Sequence, residues 1–251
     1  DDKLIRSGHY NSKNNIALNV LGEYTVNGRF TTSANSEYVR FQHYRYGSDY
    51  IAILGDSIST FSGYSEDSTM GVRNPYYPAG DVDTVEKTWW YKVAYGLRNN
   101  INDITVSAIS RSAYINQNDA TIPPSWDDDR IARLGATNYP SYIFVNMGTN
   151  DPYAGALGNM TYETDITALN ALPNSTTKGI ALTIRKLQNS YSHSRIVLLI
   201  PKPVKFSSLS GGYTSEAVDQ LADRIKALGD LYGVFKVIDL RKCDLNQSNI
   251  I

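Results

Sequence analysis

From Asp49 onward the chain repeats one texture: a short apolar run rich in isoleucine and valine, then a longer amphipathic stretch, then another apolar run. Runs that are apolar at successive positions belong to strands covered on both faces, which calls for a mostly parallel sheet flanked by helices. Five strands are expected, at 50–54, 104–107, 142–146, 195–200 and 235–240. Helices are expected at 88–99, 126–134, 177–190 and 215–231. The last is the clearest, because Ala217, Leu221, Ile225 and Leu228 recur at helical spacing and Gly233 follows as a stop. The fold class is therefore α/β, with a five-stranded sheet.

The first part of the chain reads differently. Small polar residues alternate with apolar ones in Ile16-Ala17-Leu18-Asn19-Val20 and in Tyr38-Val39-Arg40-Phe41, the pattern of short antiparallel strands. Asn27-Gly28, between Tyr24-Thr25-Val26 and Arg29-Phe30-Thr31, carries the two-residue hairpin signal. Residues 1–49 are expected to form a β-rich appendage and residues 50–251 the α/β domain.

Several function classes fall away on charge and composition. A formal net charge of −1 with acids and bases interspersed offers no basic stripe for a phosphate backbone, so nucleic acid is not an expected partner. Cys243 is the single cysteine, and no Cys/His cluster has metal-ligand spacing, so neither a disulfide framework nor a structural zinc is expected. No apolar run approaches the roughly 20 residues of a membrane span, and Asp1-Asp2-Lys3 does not read as a signal peptide.

A sheet of this kind places its ligand site at the carboxyl ends of its strands, so the residues just past each strand are the candidates. Gly55-Asp56-Ser57-Ile58-Ser59-Thr60 follows the first strand. A serine there, preceded by glycine, can sit on a tight turn with its hydroxyl facing the site, as a nucleophile must. Met147-Gly148-Thr149-Asn150-Asp151 follows the third strand, and the Asn150 amide can point at an oxygen that becomes negative during acyl transfer.

Gly55-Asp56-Ser57-Ile58 resembles the first motif block of the SGNH (GDSL-type) hydrolases, and Gly148-Thr149-Asn150-Asp151 resembles the third. Ser59-Thr60-Phe61-Ser62-Gly63-Tyr64, Tyr76-Tyr77-Pro78, Val82, Val85 and Thr88-Trp89-Trp90 extend the resemblance, toward a bacterial and phage branch of that family. It covers nearly everything from Tyr50 onward. It implies a flavodoxin-like three-layer α/β/α sandwich, no metal or organic cofactor, and esterase or deacetylase chemistry on a small-molecule or glycan ester. It also implies a secreted, cell-surface or virion-associated location. The roles it carries over are Ser57 as nucleophile and first oxyanion donor through its N–H, and Asn150 as side-chain donor. The second block aligns with Ala108-Ile109-Ser110-Arg111. Ala108 then stands where the family usually has the glycine whose N–H completes the oxyanion hole. Arg111 replaces another usual glycine, either beside the hole or simply solvated.

The resemblance also implies a histidine base, three residues after an aspartate and one loop past the fifth strand. The three histidines are His9, His43 and His193. His193 precedes the fourth strand and so belongs at the wrong edge of the sheet; His9 and His43 lie in the appendage. Two readings stand: the sequence stops before the Asp-x-x-His element, or Asp244-Leu245-Asn246-Gln247 is its counterpart with a glutamine that accepts no proton. The second would leave a glycan-binding module on a hydrolase scaffold.

Other residues have two readings each. Trp89, Trp90 and Trp126 either line a groove or pack against the sheet. Asp127, Asp128 and Asp129 suit a helix N-terminus better than a metal. Lys202 and Lys205 fall near the mouth of the site, as contacts to an acidic substrate or as solvated cations. The abundant tyrosines, 19 in all, suit sugar stacking or half-buried packing.

Overall fold

The computed structural model describes residues 26–31, 36–41, 50–65, 74–97, 103–202 and 215–242. Contacts divide the chain into two units, Asp1–Tyr46 and Gly47–Ile251.

In the first unit, β1 (Val26–Thr31) pairs antiparallel with β2 (Ser36–Phe41). The Asn27-Gly28 hairpin turn expected from sequence is not there. Both residues lie inside β1, opposite Arg40 and Val39. A two-residue turn preference is local and yields to the register of the whole ladder.

The second unit is built on five strands: β3 (Ile51–Gly55), β4 (Ile104–Ala108), β5 (Tyr142–Asn146), β6 (Arg195–Ile200) and β7 (Lys236–Asp239). All are parallel, in the order β4-β3-β5-β6-β7. The chain steps from β3 to one side, then crosses back to the other, the flavodoxin-like order with its switch point between β3 and β5. Every residue of β3 is buried. Ala52 and Leu54 face one core with Ile143, Val145, Leu198 and the helices α2 (Asp128–Arg133), α4 (Ile166–Ala171), α5 (Thr176–Ser190) and α6 (Ser215–Leu231). Ile51 and Ile53 face the other, with Phe144, Val197, Phe61 and Trp90 of α1 (Trp89–Gly96). The result is the expected three-layer sandwich. The short α3 (Asp151–Ala154) and α4 are additions that the periodicity does not announce.

Helix starts follow local chemistry. The Asp127 carboxylate accepts the N–H groups of Asp129 and Arg130, so the acidic run opens α2. Ser175 caps α5 by accepting from the Lys178 N–H. Inside α5, Gly179 allows the helix to rest directly on the backbone of the loop after β4: a Cβ there would stand 2.0 Å from the Tyr114 carbonyl oxygen. Glycine to alanine in a helix interior ordinarily gains about 1 kcal/mol. Here the collision is with main chain that cannot swing aside, so Gly179→Ala is expected to cost roughly 2 kcal/mol net and to lower the midpoint of thermal unfolding by circular dichroism.

Candidate functional site

Three strand ends meet at the carboxyl edge. The register sets Gly55 of β3 opposite Ala108 on one side and Asn146 on the other, and the Asp56 N–H continues the ladder to the Asn146 carbonyl (3.3 Å). The chain then turns at once into a 3-10 turn over Ser57–Ser59. Gly55 is required by that reversal, because a Cβ would lie 2.3 Å from the Ser59 Cβ. Asp56 caps the turn, its Oδ1 accepting the Ile58 N–H at 3.0 Å. Ser57 is left half-buried at the tip.

Ser59 is the anchor under this turn. Its carbonyl accepts from Trp90 Nε1 (3.0 Å), and its hydroxyl accepts from Trp89 Nε1 (3.1 Å) and Asn146 Nδ2 (3.3 Å). Trp89 and Trp90 therefore pack and brace rather than form a groove. Trp126 likewise donates to the Tyr114 carbonyl at 2.9 Å, under the Lys186 ammonium.

Thr60 extends the turn outward. Its hydroxyl donates to the Ser57 carbonyl and accepts from the Tyr76 N–H, both at 2.8 Å. One hydroxyl thus separates the backbone of Ser57 from that of Tyr76, a residue 58% exposed. Tyr77 abuts that ring edge-on, with centroids 4.9 Å apart.

From β5, the Asn150 Nδ2 donates to the Ser112 carbonyl at 2.8 Å, which uses one of its two protons and leaves one. Asp151 receives the N–H groups of Tyr114 (3.0 Å) and Ile115 (3.1 Å). The two side chains after β5 thereby grip the loop after β4. That loop opens with a turn in which the Ser112 N–H donates to the Ile109 carbonyl (3.1 Å) and Arg111 takes φ +69°. A positive φ at the third position of a turn is the place for glycine. Arg111 adopts it with an exposed side chain.

The geometry brings Ser57 and Asn150 to the same edge on neighbouring strands, and it corrects the assignment of Ala108. The Ile109 N–H donates to the Gly55 carbonyl, so the main-chain groups of Ser107 and Ile109 face β3. Those of Ala108 face the other way, off the outer side of the edge strand. Sequence alone missed this because strand parity depends on the register.

Arg130 is the other residue that sequence reading passed over. It is fully buried, and its guanidinium donates to the carbonyls of Gly55 (2.7 Å), Ser107 (3.0 Å) and Pro123 (3.2 Å) and to the Ser112 hydroxyl (2.6 Å). In Asp127-Asp128-Asp129-Arg130 it looks like one more surface charge. The signal was there: it lies one turn before buried Leu134 and so on the inward face.

Burial sets the electrostatics. It raises the Asp56 carboxyl from 3.8 to about 6 against the Ile58 N–H, and that of Asp151 to about 6 against the N–H groups of Tyr114 and Ile115. It lowers Arg130 to about 10, so the guanidinium stays charged at neutral pH.

His193, the one histidine among the described residues, is exposed just ahead of β6, at the amino edge. Lys202 is half-buried just past β6. His9, His43, Lys205, Cys243 and Asp244-Leu245-Asn246-Gln247 lie outside the described residues. Among the described residues no His, Cys, Asp or Glu group could hold a metal, and no helix is long and apolar enough to cross a membrane.

The strand order and the two motif-bearing strand ends define an α/β hydrolytic scaffold. The sequence profile of the GDSL-like lipase/acylhydrolase family matches residues 49–240. The chain belongs to that family, and its chemistry is the hydrolysis of ester bonds. Solved structures share the fold. One is a protein of Bacteroides uniformis described as a GDSL-like lipase (22% identity, TM-score 0.55, covering 79% of this chain and 85% of that one). Another, of Bacteroides ovatus and described in the same words, has 24% identity, TM-score 0.54 and coverages of 78% and 86%. A Lactobacillus plantarum protein has 15% identity, TM-score 0.53 and 81% of each chain covered. No curated protein matches this sequence.

Two predictions follow from the site's electrostatics and backbone. In the unfolded chain Asp56 and Asp151 ionise near 3.8, and in the folded chain only near 6. Their contribution to stability is fully present below about pH 4, is lost as pH rises through about 6, and is flat above about pH 7. Asp56→Asn should therefore gain stability relative to wild type across that window, by on the order of 2 kcal/mol, seen as a growing difference in melting temperature from pH 4 to 7. Arg111→Gly relieves the left-handed backbone and should raise stability by about 1 kcal/mol in urea unfolding.

Proposed function

We propose that this protein is a serine esterase acting on acylated carbohydrate. Ser57 is the nucleophile. Its own N–H, the N–H of Arg111 in place of that of Ala108, and the remaining Asn150 amide proton stabilise the oxyanion. Among the described residues neither N–H has another acceptor. The reading is carried by the half-buried serine just past the switch-point strand, with a carboxamide just past the neighbouring strand at the same edge of the sheet.

The carbohydrate half rests on Tyr76. An exposed tyrosine whose backbone is tied through the Thr60 hydroxyl to that of Ser57 suits the face of a sugar ring better than an alkyl chain. Release of the acyl group from a hydroxyl of that sugar, as in deacetylation, fits such an open surface.

A base is needed to take the Ser57 proton, and His193 stands at the far edge. A second reading is a glycan-binding module that keeps the scaffold without turnover. Full-length protein is assayed on p-nitrophenyl acetate and on an acetylated oligosaccharide. Ser57→Ala is expected to lower kcat by about a thousandfold or more, and Tyr76→Ala to raise KM about tenfold for the oligosaccharide, well above its effect on the small ester. Equal rates for wild type and Ser57→Ala exclude the esterase; oligosaccharide binding without turnover supports the module.

A further inference from the structure

A buried arginine whose guanidinium hydrogen-bonds no carboxylate is an expensive way to fill a core. Among the described residues the Arg130 guanidinium makes no ion pair within 4.0 Å, and the Asp127 and Asp56 carboxylates act on its charge only from farther away. Its acceptors are three carbonyls and one hydroxyl, and its Nε has no partner. Charges buried this way generally cost stability compared with an apolar residue of the same size. Packing therefore does not account for the choice, whereas the location of the acceptors does.

Nη2 holds the Gly55 and Ser107 carbonyls, at the ends of β3 and β4. Nη1 holds the Ser112 hydroxyl and the Pro123 carbonyl, fastening the loop after β4. Gly55 lies two residues before Ser57. The Ser112 carbonyl is the acceptor that fixes the Asn150 amide, and Arg111 sits between Ile109 and Ser112 in the same turn. A planar fork with its donors in fixed directions can set the spacing of these segments as a flexible ammonium cannot.

We infer that Arg130 is a positioning residue for ester hydrolysis: its guanidinium sets the distance between the turn bearing Ser57 and the loop that orients Asn150 and presents the Arg111 N–H. It touches no substrate. This rests on the serine-esterase reading above, in which those groups share one reacting carbonyl. Displacement of one group by about 1 Å is enough to cost on the order of a hundredfold in rate. The loss falls on kcat, because binding of a small ester does not depend on alignment.

The test uses full-length protein, p-nitrophenyl acetate, and the variants Arg130→Lys, Arg130→Met and Ser112→Ala, with Ser57→Ala alongside. Each is assayed well below its own thermal unfolding midpoint. Arg130→Met is expected to lower kcat about a hundredfold, and Arg130→Lys and Ser112→Ala about tenfold, with KM within about threefold of wild type. A purely structural role would lower the melting temperature and leave the kcat of the folded fraction unchanged. If the Arg130 variants do not fold, Ser112→Ala, which removes one acceptor of the fork and buries no new charge, decides alone. A kcat within threefold of wild type in the folded variants, or a KM that rises in step with the loss, overturns the inference while wild type remains active and Ser57→Ala inactive. A wild type no faster than Ser57→Ala overturns the esterase reading and this inference with it.

Discussion

When a fully buried parallel strand ends, its last main-chain groups leave the ladder while still out of reach of water, and something must bond to them. In this protein that requirement falls hardest on β3, which has a strand on each side and a core on each face. The Gly55 carbonyl is met by the Ile109 N–H and the Arg130 guanidinium, and the Asp56 N–H by the Asn146 carbonyl. Ser59 receives both indoles from α1 and the Asn146 amide. Satisfying the strand end and building the site are the same set of bonds.

The same economy extends to the neighbouring strands. The side chains of Asn150 and Asp151, just past β5, bond to the loop after β4. Gly179 lets α5 press on that loop from behind. The loop is therefore held from the sheet, from α2 and from α5, and Ser57 and Asn150 are fixed relative to one another through it. In the interior such bonds are strong because water does not compete, and costly if one partner is lost. Asp56 and Asp151, harder to ionise than ordinary carboxyls, and the buried Ser110 hydroxyl reflect a site that keeps polar groups dry. Family membership accounts for ester hydrolysis as the chemistry, and this network describes how one chain of the family holds its groups.

Much of this was legible beforehand. The strands 142–146 and 195–200 and the helix 215–231 coincide with the expected bounds, because runs of β-branched residues and a clean 3.6-residue period are one-dimensional signals. Ser57 and Asn150 were legible because motif blocks at strand ends need only chain order to be placed. The Asn27-Gly28 turn, the Ala108 donor and the role of Arg130 were not. Each depends on a partner far away in sequence: Arg40 and Val39 across from the hairpin residues, Gly55 across from Ala108, and Gly55, Ser107 and Ser112 around the guanidinium.

What the amino-acid order determined by itself was the class of sheet, the succession of elements and the two motifs that end up at its carboxyl edge, since periodicity and local chemistry suffice for these. Tertiary structure decided which backbone N–H groups face inward, which arginine is buried and which loop backbone is tied to that of the serine. Those are questions of register and through-space contact. A shift of one residue in a strand reverses where every N–H points without altering a single letter of the local pattern.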